Sequence, residues 1–181
     1  FRWDARRAVA ADDPHGLRSR IREGTLELSV TAGDRDLIPK IAHDSILERV
    51  TALTFHGSPA DLRPLIGSPV LRGLRRLTLG ELKSLPPELP AWLAQLPGLE
   101  HLDLSNCKFS NADEIATLMR TNLTCLKTLT LDHALDFTPS RADRPVLDHV
   151  LARLENLSLA HAPIGYRAIR SLAEAPASKS L

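Results

Sequence analysis

Histidine and cysteine are the residues of this 181-residue chain best suited to hold a metal or attack a bond, and there are 7 of the first and 2 of the second. His133 and His161 stand out, because each ends a short apolar alternation, Leu129-x-Leu131-Asp-His and Leu157-x-Leu159-Ala-His, with Asp132 beside the first. Two imidazoles and a carboxylate could begin a zinc site. Zinc, however, takes about four ligands converging in fixed geometry, most of them from the protein. The chain has no H-x-x-x-H, H-E-x-x-H or C-x-x-C spacing to supply them. No bound metal and no other cofactor is expected.

Nucleophilic chemistry finds no better footing. Cys107 occupies a place where a small inward-facing residue is wanted, and a buried thiol is inert; Cys125 lies just ahead of a strand. There is neither a G-x-S-x-G elbow nor a phosphate-binding Walker loop. The remaining Asp, His and Ser residues fall on strand exteriors, with no pocket of low dielectric to tune them. The chain is expected not to be an enzyme. Two cysteines also make no disulfide framework, which fits a reducing cytoplasm.

Charge points away from nucleic acid and membrane. The formal net charge is +1, so there is no long-range pull toward phosphate or anionic lipid. Arg72, Arg75 and Arg76 gather at one place, and Arg2, Arg6, Arg7, Arg18, Arg20 and Arg22 crowd the start. Asp4, Asp12, Asp13 and Glu23 offset the latter group, which reads as a solvated face. Trp3 reads as a core or junction residue. Apolar runs stop far short of the roughly 20 residues that cross a bilayer.

The elements that would position these groups follow from a repeat. There are 33 leucines against 7 aromatic residues, so the core must be built from one branched side chain used again and again. The segment Leu99-Glu-His-Leu102-Asp-Leu104-Ser-Asn-Cys107-Lys-Phe109 has four companions: Val50-x-x-Leu53-x-Phe55, Leu74-x-x-Leu77-x-Leu79, Leu126-x-x-Leu129-x-Leu131 and Leu154-x-x-Leu157-x-Leu159. A degraded first copy reads Glu23-x-x-Leu26-x-Leu28. The central positions 26, 53, 77, 102, 129 and 157 are separated by 27, 24, 25, 27 and 28 residues. A period in this range means a solenoid.

These segments resemble the leucine-rich-repeat pattern L-x-x-L-x-L-x-x-N/C-x-L over roughly residues 23–175, closest to the longer-repeat, ribonuclease-inhibitor-like class. The stretch from Ser68-Pro69 to Leu79 resembles junctions of bacterial arrays. The N/C position reads Thr31, Ser58, Leu82, Cys107, Ala134 and Ala162, so only Cys107 keeps the consensus. The resemblance implies an α/β solenoid, a curved horseshoe arc of about six repeats with a parallel inner sheet and outer helices. It also implies a non-catalytic protein–protein interaction module.

The physical logic is independent of that resemblance. Leu102 and Leu104 point inward from a strand while Asp103 points away. One strand cannot hide such a face, but stacking strands about 4.8 Å apart makes a continuous core. Between strands the apolar spacing turns helical at 37–41, 62–66, 89–96, 115–119, 146–151 and 169–172, with Asp61 and Asn111 as candidate N-caps. Residues 1–22 are expected to form a helical N-terminal cap, 23–175 the repeat domain and 176–181 a tail. A chain that starts at Phe1 and lacks a polar capping repeat is expected to continue in the natural protein.

The inner sheet then offers three columns of outward side chains. The first holds Ala52, Arg76, His101, Thr128 and Asn156. The second holds Glu27, Thr54, Thr78, Asp103, Thr130 and Ser158. The third holds Ser29, His56, Gly80, Ser105, Asp132 and Ala160. The expected partner is another protein, bound by this concave face around Arg76, His101, Asp103 and Asp132. Two rivals stay open: a substrate-selecting arm of a larger enzyme, such as an effector ubiquitin ligase or a signalling NTPase, and a structural spacer.

Overall fold

The computed structural model describes residues 18–22, 25–31, 39, 42–43, 48–56, 62–66, 68–80, 82, 85–109, 111–121, 123–134 and 154–161. Among the described residues seven strands lie side by side in chain order: β1 (Arg18–Arg22), β2 (Thr25–Thr31), β3 (Val50–His56), β4 (Arg76–Gly80), β5 (His101–Asp103), β6 (Thr128–Thr130) and β7 (Asn156–Ser158). β1 and β2 pair antiparallel, and every later pairing is parallel. A parallel neighbour needs a crossover, and the described residues between strands, such as Leu62, Leu71, Trp92 and Ile115, pack in one core with the strands' leucines.

The register is in phase with the repeat. Leu53 lies opposite Leu77, Leu77 opposite Leu102, Leu102 opposite Leu129, and Leu129 opposite Leu157. Two residues on, Phe55 meets Leu79. The ladder outlasts the short strands, with the Leu104 N–H donating to Thr130 O and the Leu131 N–H to Ser158 O, both at 2.9 Å. Side chains alternate in and out along each strand, so Leu53, Phe55, Leu77, Leu79, Leu102, Leu104, Leu129 and Leu131 are buried together.

The first copy of the repeat sits two residues from its expected place. Leu28, not Leu26, lies opposite Leu53, and an irregularity falls between Leu26 and Glu27. Glu27 is therefore opposite Ala52, Ser29 joins the column of Thr54, and Thr31 that of His56. Leu26, Leu28 and Val30 alternate without a break, so a shift by two leaves the same side chains on the same face. Residues 18–22 also correct the helical cap: they form a strand. Arg22 pairs with Thr25 across a two-residue link, as a hairpin requires, and β1 covers one edge of the parallel sheet.

The outer side carries short pieces. Residues 62–66 form a single turn, with the Ile66 N–H reaching Leu62 O, and Pro69–Gly73 is a 3-10 helix. Then come two α-helices, α1 (Leu89–Leu93) and α2 (Ala112–Met119). α1 is shorter than the 89–96 span its leucines suggest, because the Gln95 and Leu96 N–H groups bond three residues back, to Trp92 O and Leu93 O. That tightens the end into a 3-10 turn ahead of Pro97. α2 is longer than expected, since Asn111 Oδ1 accepts the Glu114 N–H at 3.0 Å and caps it. Residue 39 is helical within the expected 37–41 span. The expected helices at 146–151 and 169–172, the cap before residue 18, Asp61 and the tail 176–181 lie outside the described residues.

Inward residues of these pieces, Leu62, Leu65, Leu71, Trp92, Leu93, Ile115 and Leu118, close the core against the sheet. The Ser68 hydroxyl donates to Ala42 O inside it, across 26 residues of chain. Trp92 is fully buried, and its indole N–H has no hydrogen-bond partner among the described residues. Leu102→Ala should cost about 2–5 kcal/mol in denaturant unfolding. Trp92→Phe, which removes a donor with no partner among the described residues, should cost far less than Trp92→Ala.

Candidate partner-binding face

Each column of the sheet's open face is built by register. Arg76, His101, Thr128 and Asn156 stand opposite one another in turn, as do Thr54, Thr78, Asp103, Thr130 and Ser158. The third column runs from His56 to Gly80 in the paired strands and continues in sequence to Ser105, Asp132 and Ala160. Arg76, His56 and Asn156 are exposed, while Thr54, Thr78, His101, Asp103, Thr128, Thr130, Asp132 and Ser158 are half-buried. The expected grouping of Arg76, His101 and Asp103 is therefore present on adjacent strands.

Contacts divide these residues into two kinds. Asp103 accepts from its own turn, with the Ser105 N–H at 2.9 Å and the Ser105 hydroxyl at 2.5 Å. Asp132 reaches across to the next strand, where its Oδ1 accepts the Ser158 hydroxyl at 2.6 Å and the Ala160 N–H at 2.7 Å. Both carboxylates hold the sheet's rim together with one oxygen. His56 rests over Gly80: a Cβ at residue 80 would fall 2.4 Å from His56 Nδ1. The missing side chain makes room for that imidazole.

Past the third column the chain turns through a left-handed residue in three successive repeats, Asn106 (φ 60), His133 (φ 55) and His161 (φ 58). Asn and His are among the few non-glycine residues that tolerate this region. The Asn106 N–H donates to Asp132 O and the His133 N–H to Ala160 O, so the turns stack in register as well. His133 and His161 do meet, as their spacing suggests, but face to face, with ring centroids 4.0 Å apart and planes 11° from parallel. Imidazole lone pairs lie in the ring plane, so stacked rings point theirs side by side rather than at one ion. Among the described residues no three His, Cys, Asp or Glu side chains converge as metal ligands would.

Cys107 is buried, and its thiol donates to Leu79 O of the preceding repeat at 3.1 Å. Burial outweighs the hydrogen bond it receives from the backbone and pushes its pKa up to about 12, so it stays a neutral thiol. Cys125 is exposed.

Along the flank of the sheet, two residues before each central leucine, Arg75, Glu100, Lys127 and Glu155 alternate in sign. Their backbones are linked from one repeat to the next. Glu100 pairs with Arg75 at 2.9 Å and Lys127 at 3.5 Å. Its carboxyl lies below the usual value, chiefly through the charge of Lys127 and against a smaller desolvation, with Arg75 adding to the effect. The shorter contact and the larger pull thus belong to different partners, as expected of exposed pairs screened by water. Neither this ladder nor the bridging role of Asp132 was foreseen from sequence. The signal present was a repeat spacing shared by 75, 100, 127 and 155, and by 106, 133 and 161.

In-phase parallel strands in chain order over inward leucine ladders give the chain the fold of a leucine-rich-repeat solenoid. No protein-family model and no curated protein matches the chain. Among solved structures it is similar to an internalin of Listeria monocytogenes, with 20% identity and a TM-score of 0.41 over 72% of this chain and 42% of that one. It is similar also to a leucine-rich-repeat protein of Leptospira interrogans, with 23% identity and a TM-score of 0.42 over 82% of this chain and 43% of that one. The chain spans less than half the length of either. Among the described residues no helix is long and apolar enough to cross a membrane.

Two measurements check this geometry. In native protein at pH 8 a thiol reagent should label Cys125 rapidly and Cys107 only on unfolding; fast reaction of both would contradict the buried assignment. His133→Asn should leave stability within about 0.5 kcal/mol, whereas β-branched His133→Val should lose about 1–2 kcal/mol to the left-handed backbone.

Proposed function

We propose that the open face of the sheet, the concave side of a leucine-rich-repeat arc, binds another protein without chemistry of its own. The observation that carries this reading is the regular array of half-exposed hydroxyl, imidazole and charged side chains held in register on successive strands. Asp103 and Asp132 are fixed by hydrogen bonds and His56 is seated on Gly80, so little side-chain freedom is lost when a partner arrives. The face is poor in aromatic anchors, which favours recognition by hydrogen bonds around Arg76, His101, Thr128 and Thr130 over burial of a large apolar plug.

The test is co-purification from the native cell, with cross-links mapped to residues and affinity measured on the purified pair. Arg76→Ala with His101→Ala and Thr128→Ala should weaken binding at least about tenfold, the loss expected from one or two hot-spot contacts, with an unchanged unfolding midpoint. Unaltered affinity in a folded triple variant would remove the open face from the interaction.

A further inference from the structure

The outer side of the solenoid carries a second feature that the open face does not explain. A cleft of about 420 Å³ lies between the turn at 85–90 and α2. Its walls are Leu85, Pro86, Pro90 and Leu118, and its rim carries Asp113 and Glu114 on one side with Lys108 also at the margin. Proline walls are rigid, so they lose no rotamer freedom on contact. We propose that this cleft is a docking site for a protein segment that places an apolar side chain beside a lysine or arginine.

Charge selects the occupant. Asp113 is exposed and makes no hydrogen bond or ion pair among the described residues. Glu114 is tied to Asn111 through its backbone and its carboxylate. An anion is disfavoured here, because the cap already takes the Glu114 N–H and two carboxylates occupy the first turn of α2. The charge left without a partner at the rim is the carboxylate of Asp113.

Openness selects a protein segment over a free small molecule. Of the lining residues only Pro86 and Leu118 are buried, and Asp113, Glu114, Thr117 and Lys108 are exposed. Small-molecule pockets enclose most of the ligand's surface. A side chain carried by a partner has its other side covered by that partner.

The experiment titrates the whole 15N-labelled chain with acetyl-Leu-Lys-amide and with acetyl-Leu-Glu-amide, following backbone amide shifts. Saturable shifts over 113–118 are expected with the lysine peptide, at least about threefold weaker with the glutamate peptide. Asp113→Asn should weaken the lysine peptide about two- to fivefold, the range of an exposed ion pair. Thr117→Trp, at an exposed helical position, should fill the cleft and abolish the shifts; were that variant unfolded, Asp113→Asn with the peptide pair decides alone. Equal binding of both peptides, no binding of either, shifts centred on the open face, or undiminished binding to folded Thr117→Trp would each overturn the proposal. None of these outcomes depends on whether the open face binds its own partner.

Discussion

The structure rests on one constraint: no repeat can cover its own leucines. Leu102 in the three-residue β5 and Leu104 just past its end contribute two inward side chains, far too little to exclude water alone. Each becomes buried only because Leu77 and Leu79 stand on one side and Leu129 and Leu131 on the other. Register is therefore fixed by burial. A slip of one residue would turn Leu102 out and Asp103 in, exchanging about 1.5–3 kcal/mol of favourable burial per leucine for an unpaired buried charge. The open face depends on this phase relation, since the same alternation that buries Leu102 lifts His101 and Asp103 toward the surface.

Polar groups reinforce the phase from both margins of the sheet. On one flank Arg75, Glu100 and Lys127 alternate in sign, and an out-of-order pairing would set like charges together. The depressed carboxyl of Glu100 gives this ladder a pH sense. Its contribution is present above the ordinary carboxylate range and fades as pH falls through the lower folded value. The group is exposed, so the effect acts on pairing choice more than on stability. On the other margin Asp132 binds the end of β7, and the Cys107 thiol bonds back to Leu79. Side-chain bonds to the backbone of a neighbouring repeat thus run through two different residue types, Asp132 and Cys107.

Periodic features were legible in the sequence, and features set by cross-strand contact were not. The markers Leu53, Leu77, Leu102, Leu129 and Leu157 are all confirmed in register, because inward residues must recur where strands recur. The first copy was misplaced by two residues because Leu26, Leu28 and Val30 satisfy the alternation in either phase, and only pairing with β3 decides. The arginines of 18–22 suit a helix or a hairpin edge equally. α1 is shorter than its leucines suggest because leucines spaced three and four apart serve a 3-10 turn as well as an α-helix, and Pro97 follows the last turn. The columns of the open face were readable, but the division of labour within them was not. Nothing in the order of residues says that Asp132 answers Ser158 rather than solvent.

That division bears on how such a face can change while its fold persists. In a solenoid each repeat contacts only its neighbours, so the energetic reach of a substitution is about one repeat on either side. Arg76, His101 and Thr128 stand opposite one another on successive strands, whereas Asp103 and Asp132 each hold a backbone N–H group in place. On the proposed reading, replacing the first set alters what the surface recognises while the carboxylate bonds of the second set stay in place. Replacing the second set frees the backbone N–H groups that these carboxylates hold. The outer cleft obeys the same rule from the other side of the core: Leu118 is buried beneath it, whereas Asp113 and Thr117 at its margin are exposed. Two surfaces with separate chemistry can therefore share one leucine layer, because that layer fixes where side chains stand and leaves their identity free wherever they face water.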